Sequence, residues 1–136
     1  MSLYRCFWVG LHSFGCERHA QGSRRSCPAN GQAPLAADAR LARAAQLHAN
    51  DMSAKTYFSH TGQDGSSAGD RVKRQGYGYC FVAENIAQGQ KGALQALAGW
   101  QKSPGHRKNL LTANAIHFGM AEKGGYWVMV LGKTGC

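Results

Sequence analysis

Acidic residues are scarce in this sequence. Its 136 residues include 7 aspartates and glutamates against 16 lysines and arginines, so the formal net charge is +9. A positive excess of this size favours contact with anionic material. The basic residues are spread along the chain, however, and form neither the basic helix nor the aromatic platform that nucleic-acid-binding domains use. We therefore expect an anionic polymer or lipid surface as partner, and no specific nucleic acid.

Long apolar runs are also missing, which predicts a protein that does not span a membrane. With 43% hydrophobic and 17% charged residues, the composition is that of a globular domain, and 136 residues fit one domain. Residues 4–14 are apolar at helical spacing and lack a small-residue cleavage site after them, so we take them as a mature helix. We expect residues 1–3 to stand in place of a targeting signal.

Closely spaced cysteines are absent, which excludes the zinc-ribbon pattern. The five cysteines lie far apart along the chain, at Cys6, Cys16, Cys27, Cys80 and Cys136. So many cysteines in a short chain favour an oxidising, extracytoplasmic compartment, and thus a secreted protein with disulfides. The spacing alone leaves the pairing open.

The familiar catalytic signatures are missing too. The chain has no Gly-x-Ser-x-Gly elbow and no two-histidine helical motif of the metalloprotease type. Nucleophilic catalysis is therefore poorly supported. Ser66 and Ser67 follow Asp64 and Gly65, where helix capping explains them more simply than catalysis does.

The apolar periodicity predicts an α+β domain with a mostly antiparallel sheet covered by helices. We expect residues 1–33 to be an N-terminal helix and loop of the same domain, and residues 34–136 to be its core. Gly124 and Gly125 predict a tight hairpin turn. The predicted elements are helices over 37–55, 70–75 and 92–102, a strand through 83–87 that breaks at Gly89, and hairpin strands over 116–123 and 126–132. Asp38 is expected to cap the first helix, and its apolar stripe is Leu41, Ala44, Ala45, Leu47, His48 and Met52. The helix over 92–102 is expected to turn Leu94, Leu97, Ala98 and Trp100 inward.

Three residues stand out as a candidate site. Glu84 is the one glutamate within an apolar, strand-like run, and a buried carboxylate needs a partner or a proton. His60 and His106 are expected in glycine- and serine-containing loops just beyond helices, where side chains can converge. Two imidazoles and a carboxylate can bind Zn²⁺ or another divalent metal, or act as a general acid and base. Alternatively, the histidines are hydrogen-bonded loop anchors and Glu84 caps backbone amides.

The other histidines and the large aromatic residues have simpler explanations. His48 is expected to be packed or exposed on its helix, and His117 to begin a hairpin strand. His12 and His19 have no acidic or cysteine partner at ligand spacing. The aromatic residues expected to form the core or line the cleft are Trp100, Phe118, Tyr126 and Trp127.

Three segments together resemble the CAP superfamily of cysteine-rich secretory, antigen 5 and pathogenesis-related proteins, in its short bacterial, SCP-like form. They are YFSHT at 57–61 with DGSS at 64–67, AENIAQG at 83–89, and the segment from Trp100 through SPGHR at 103–107 to Asn109 and Leu110. Their order and spacing match from about residue 34 to residue 132. The chain departs from the family pattern at Gly15, where an asparagine is common, and at Ala83, which replaces the usual glycine.

The resemblance implies a secreted or surface-attached α/β/α sandwich with a cleft lined by two histidines and up to two glutamates. His60, Glu84 and His106 match the family's motif positions and are its candidate catalytic or metal-binding residues. The second glutamate has no counterpart, because Gln101, Lys102 and Ser103 stand where it would be expected. This departure argues against a two-carboxylate mechanism and leaves a His-His-Glu set.

We therefore expect a binding domain rather than an enzyme, with a cleft for a small ligand, lipid or divalent metal and a basic surface for extracellular partners. A metal-dependent or acid–base hydrolase, acting on peptides or cell walls, is the alternative. A toxin-like module recognised through its surface is the third possibility, because members of one fold carry different functions.

Overall fold

The computed structural model describes residues 34–136, so the predicted N-terminal helix, Cys6, Cys16 and Cys27 lie outside the described residues. Four helices and four strands make up the described part of the chain. In chain order they are β1 (Ala36–Ala37), α1 (Ala39–Lys55), α2 (Ala68–Arg74), β2 (Phe81–Gln88), α3 (Ala93–Lys102), α4 (Pro104–Leu111), β3 (His117–Lys123) and β4 (Tyr126–Lys133). No helix among them is long and apolar enough to cross a membrane.

The strands form one sheet in the order β1-β3-β4-β2. β4 pairs antiparallel with both β3 and β2, and the short β1 pairs parallel with β3. The predicted hairpin joins β3 to β4, with Gly124 at φ 58° and Gly125 at φ 84°. Two consecutive positive φ angles are what a tight two-residue hairpin turn requires. The predicted α+β class with a mostly antiparallel sheet is therefore confirmed.

Strand alternation divides the interior into two apolar cores. Along β4, Val128 and Val130 pack beneath α1, while Met129 and Leu131 face the opposite layer with Trp100 of α3. Successive side chains on a strand point to opposite faces, so both sides of β4 are buried. The sheet is thus the middle layer, with α1 and α2 on one side and α3 and α4 on the other.

Helix α1 covers its face of the sheet at close range. Asp38 caps its first turn by accepting a hydrogen bond from Arg40 N at 2.9 Å, as the sequence predicts. The predicted stripe is buried at Leu41, Ala44, Ala45, His48 and Met52. Leu47 is 42% exposed, so its place in the stripe is wrong. Gly119 of β3 lies directly beneath, where a β carbon would collide with the α1 backbone. Glycine at this position therefore allows the helix to approach the sheet.

Two expectations for the α3–α4 region are wrong. Leu94 is 70% exposed and Ala98 is also exposed, whereas Ala96, Leu97 and Trp100 are buried. The buried stripe is narrower than the apolar composition suggests. The segment after α3 is not a loop either, because Pro104 ends α3 and occupies the first turn of α4. A proline fits a first helical turn, where its missing N–H has no partner to lose.

A disulfide joins Cys80 to Cys136. Cys80 immediately precedes β2, and its backbone N–H donates to Lys133 O at the end of β4. The bridge therefore links the end of the described chain to the start of an edge strand, and it confirms the expectation of a disulfide.

Replacing Gly119 by alanine should destabilise the domain, because the added methyl meets the backbone of Leu41 and Ala42. Overpacking of this kind costs about 1–3 kcal/mol, measured as a lower urea midpoint. Gly99→Ala is the matched control, since nothing lies near the methyl that it adds on α3. That variant should be neutral or slightly stabilised. Equal midpoints for the two variants would contradict the close approach of α1.

Candidate functional site

Glu84 lies at the centre of the candidate site and is almost completely buried, with 3% of its side chain exposed. A hydrogen bond of 2.8 Å joins its Oε1 to His60 Nδ1. Its Oε2 accepts a hydrogen bond from an Arg71 guanidinium nitrogen, also at 2.8 Å. A charge removed from water is tolerated only when it is paired and hydrogen-bonded. The guanidinium and the imidazole meet that requirement.

Arg71 comes from α2 and is buried like its partner, with 9% of its side chain exposed. The nitrogen that contacts Glu84 also donates to the backbone oxygen of His60 at 2.9 Å. The other terminal nitrogen donates to Ser66 O at 2.8 Å. One guanidinium therefore ties both ends of the segment 60–66 to the edge of the sheet.

The loop that carries His60 is held at further points. His48 of α1 makes a 2.8 Å hydrogen bond through Nε2 to Ser59 O. At the far end of the loop, Ser67 and Asp70 form a reciprocal capping box that starts α2. The expectation that serine caps a helix here is confirmed for Ser67. The backbone of His60 is therefore fixed, although 57% of its side chain is exposed.

His106 reaches the site from the other side of the sheet, on the first turn of α4. Its Nδ1 is hydrogen-bonded to Ser103 Oγ at 2.9 Å. The side chain of Asn85 donates to its backbone oxygen at 3.1 Å. Burial lowers the pKa of His106, and the nearby His60 lowers this pKa further. His60 is therefore close enough to His106 to disfavour a positive charge on it.

Strand β2 explains how histidines from opposite layers come together. Ile86 packs in the core beneath α1, while Phe81 and Ala87 pack in the other core. By alternation, Glu84 points to the α1 side and Asn85 to the α4 side. Because β2 is at the edge of the described sheet, the two neighbouring residues can hold His60 and His106 around that edge.

The sequence-based alternative for these residues is only partly present. Both histidines make side-chain hydrogen bonds, as loop anchors would. Glu84, however, accepts from the side chains of His60 and Arg71 rather than capping backbone amides. His106 also belongs to a helix, not to the loop that the sequence suggested.

A His-His-Glu metal set does not fit this arrangement as it stands. Both carboxylate oxygens of Glu84 are engaged, so binding a cation would require it to release His60 or Arg71. Among residues 34–136, no group of three or more histidine, cysteine, aspartate or glutamate side chains is placed to hold a metal ion. A cation could contact two imidazole nitrogens at most, and Glu84 is hydrogen-bonded to the other nitrogen of the His60 ring.

The other predicted residues have structural roles. His48 is buried. His117 is hydrogen-bonded to Tyr77 Oη at 2.8 Å and lies outside the site. Trp100, Phe118 and Tyr126 are core residues, as expected. Trp127 is half-buried and donates through Nε1 to Gln90 O at 2.8 Å. His12 and His19 lie outside the described residues.

Sequence reasoning missed three residues that organise the site. Arg71 belongs to a short basic stretch over 71–74, which is typical of a solvated surface. Asn85 and Asn109 lie within the segments that carry the family resemblance, and Asn109 donates to Asn85 Oδ1 at 2.9 Å. For the two asparagines, the position within those segments is the available signal. Arg71 offers no such signal, because its pairing with Glu84 depends on the fold.

A cavity of about 200 Å³ lies between α1, the loop after His60 and α2, on the side of Arg71. Its walls include His48, Asp51, Asp64 and Arg74. Asp64 is paired with Arg74 at 2.7 Å, and Asp51 with Lys55 at 2.6 Å. Arg71 also lines the cavity and is paired with Glu84, so these lining charges all have partners of opposite charge.

Thermal stability should fall as the pH drops below about 6.5, the ordinary histidine value. Burial lowers the pKa of His48 and nearby Arg71 lowers it further, against opposing contributions from Glu84 and Asp51. The pKa of His106 is lowered as well. The native state therefore binds fewer protons than the unfolded chain in this range, and acid favours unfolding.

This prediction is tested by melting curves between pH 7.5 and 5.5. His48→Gln keeps a donor for Ser59 O and removes one of the two titrating groups, so its melting temperature should depend less on pH. A variant with the full wild-type pH dependence would contradict the assignment to His48.

Sequence comparisons relate this chain to bacterial proteins. The chain is 38% identical over 99 residues to the protein YkwD and 34% identical over 98 residues to the membrane protein YlbC, both from Bacillus subtilis (strain 168). These matches cover 71% and 72% of this chain. The chain spans only 38% and 28% of the length of those relatives.

Solved structures show the same fold. An extracellular protein containing a SCP domain from Bacillus anthracis superposes with a TM-score of 0.73 at 33% identity, over 76% of this chain and 35% of that one. An outer surface protein from Borrelia burgdorferi gives 0.67 at 20% identity, over 74% and 78% of the two chains. A cysteine-rich secretory protein from Staphylococcus aureus gives 0.64 at 18% identity, over 76% and 33%.

The profile of the CAP family, described as the cysteine-rich secretory protein family, matches residues 4–130, which is most of the sequence. Together with the fold and the identities above, this match shows that the chain belongs to the CAP family and resembles its bacterial SCP-domain members.

Proposed function

We propose that this chain is an extracytoplasmic binding domain in which His60 and His106 contact a small anionic or polar ligand. One observation carries the proposal. Each imidazole uses Nδ1 for a partner within the protein, namely Glu84 for His60 and Ser103 for His106. Within the described part of the chain, neither Nε2 has a hydrogen-bond partner. The two rings are therefore oriented by the protein and keep one nitrogen each for a ligand.

The charges of the segment that carries His106 favour an anionic ligand group. The negative charge of Glu84 is already paired with Arg71. Residues 85–121 include no aspartate or glutamate, but they include Lys91, Lys102, Arg107 and Lys108. Positive potential of this kind raises the local concentration of anions. A phosphate-bearing component of the cell envelope, whether polymer or lipid headgroup, has the required chemistry.

An extracytoplasmic location is supported by two independent facts. The Cys80–Cys136 disulfide is typical of an oxidising compartment. The Bacillus anthracis relative is described as extracellular, and the Borrelia protein as an outer surface protein. The location proposed for this chain is therefore the outside of the cell.

A hydrolase is the second candidate, favoured by the 2.8 Å contact between His60 and Glu84. A carboxylate that orients an imidazole through Nδ1 leaves Nε2 as a general base for water. Residues 101–103 carry no counterpart of the family's second glutamate, so His106 would have to supply a proton to the leaving group. If the wild type leaves peptide and glycan libraries unchanged, this candidate is excluded.

Alanine substitution of either histidine should weaken ligand binding. A charge-assisted hydrogen bond contributes about 1.5–3 kcal/mol, so each change should cost roughly tenfold or more in affinity. Glycerol 3-phosphate is a suitable probe, with binding followed by NMR chemical shifts. Cell-wall polymer and phosphatidylglycerol vesicles, tested separately at low salt, distinguish the two sources of phosphate. His117→Ala is the control, because His117 lies outside the site.

The pH dependence separates an anion from a metal. Affinity for the phosphate probe should rise as the pH falls through the histidine range, because protonated imidazoles attract an anion. Zinc binding would weaken over the same range, because its ligands must be deprotonated. Unchanged binding to walls or vesicles in the His60→Ala/His106→Ala double variant would contradict the proposal and favour recognition through the surface.

A further inference from the structure

We propose that Arg71 is a positioning residue that fixes both the tautomer and the placement of His60. This role rests on the proposed function, because it concerns the nitrogen that His60 offers to a ligand. Arg71 lies behind Glu84 and within the protein, so it acts through the histidine rather than on the ligand itself.

The first step concerns charge. A guanidinium stays protonated under all ordinary conditions, so Arg71 supplies a permanent positive charge beside Glu84. With its Oε2 accepting from Arg71 at 2.8 Å, the carboxylate is stabilised as an anion. An ionised carboxylate can only accept hydrogen bonds. The proton in the 2.8 Å contact with His60 therefore belongs to Nδ1, and Nε2 of the neutral ring carries a free lone pair.

The second step concerns geometry. The same Arg71 nitrogen contacts both Glu84 Oε2 and the backbone oxygen of His60, at 2.8 and 2.9 Å. It therefore fixes the distance between the carboxylate and the backbone from which the imidazole extends. The contact with Ser66 O closes the loop on its other side. Both the ring's acceptor and its backbone are thus set by one buried side chain.

The third step concerns the residue type. Lysine at this position would preserve a positive charge near Glu84. It would lack the rigid planar fork that reaches Glu84, His60 O and Ser66 O together. Lysine should therefore retain the Nδ1–H tautomer but hold the loop less well. Comparing lysine with arginine at position 71 therefore separates the effect of the positive charge from the effect of the geometry.

The imidazole nitrogen chemical shifts of His60 at pH 8 provide the test. The wild type should show Nδ1–H with a bare Nε2. In Arg71→Met the buried Glu84 loses its charge partner and should take up a proton from solvent, which it donates to Nδ1. The ring then shifts toward Nε2–H, the form that prevails for histidine in water, whereas Arg71→Lys keeps Nδ1–H. Arg74→Met is the matched control, since Arg74 lies on the same helix but pairs with the exposed Asp64. It should leave the tautomer unchanged.

Binding of glycerol 3-phosphate at about pH 6 gives a second readout, because the proton that the imidazole gains there sits on Nε2 and can be donated to the anion. Arg71→Lys should lose on the order of tenfold in affinity, because small displacements of a contacting group are costly. Arg74→Met, further from His60, should lose much less.

Several results would overturn the role of Arg71. One is a folded Arg71→Met variant with the wild-type tautomer, and another is a lysine variant equal to wild type in affinity. If the methionine variant fails to fold, the wild type alone still decides, because an Nε2–H tautomer there refutes the assignment. If the probe fails to bind but the tautomer shifts as expected, the proposed ligand is wrong and the positioning role stands.

Discussion

The site is organised by the need to stabilise one buried carboxylate. Glu84 lies in an apolar strand, where an unpaired negative charge would be very costly. Arg71 provides the opposite charge, and His60 provides the remaining donor. The hydrogen bonds that stabilise Glu84 therefore hold α2, the loop before it and the edge of the sheet in fixed positions relative to one another. The exposed imidazole of His60 is positioned as a consequence.

The position of β2 extends this arrangement to the second histidine. Consecutive side chains of a strand face opposite layers, so Asn85 holds the backbone of His106 while Glu84 holds His60. An interior strand could not bring the two layers together in this way. The antiparallel pairing with β4 and the Cys80–Cys136 bridge keep this edge strand in place. The fold thus supports the site through one strand and the two layers that meet beside it.

Much of this could be predicted from local sequence patterns. The two glycines at 124 and 125 indicate the hairpin, Asp38 marks the start of α1, and the apolar neighbours of Glu84 indicate its burial. The wrong predictions arise where a residue type is compatible with two different structural positions. Pro104 ends α3 and also begins α4, whereas the sequence pattern alone favours a loop at His106. Leu94 has the composition of a buried position, but α3 turns it outward.

The role of Arg71 could not be derived from sequence in the same way. An arginine within a basic stretch is usually exposed, and only the tertiary fold shows that this one faces a buried carboxylate. The same contact explains why Glu84 is poorly suited to bind a metal directly. It gives the carboxylate a supporting role and leaves ligand binding to the imidazoles.

The central claim is that Glu84 is ionised and receives its hydrogen bond from His60 Nδ1. A neutron crystal structure of the protein at about pH 8 tests this most directly, because it locates the exchanged protons. The account predicts deuterium on His60 Nδ1 and none on Nε2 or on the Glu84 carboxylate. Deuterium on Nε2 with a bare Nδ1, or on either oxygen of Glu84, would contradict it.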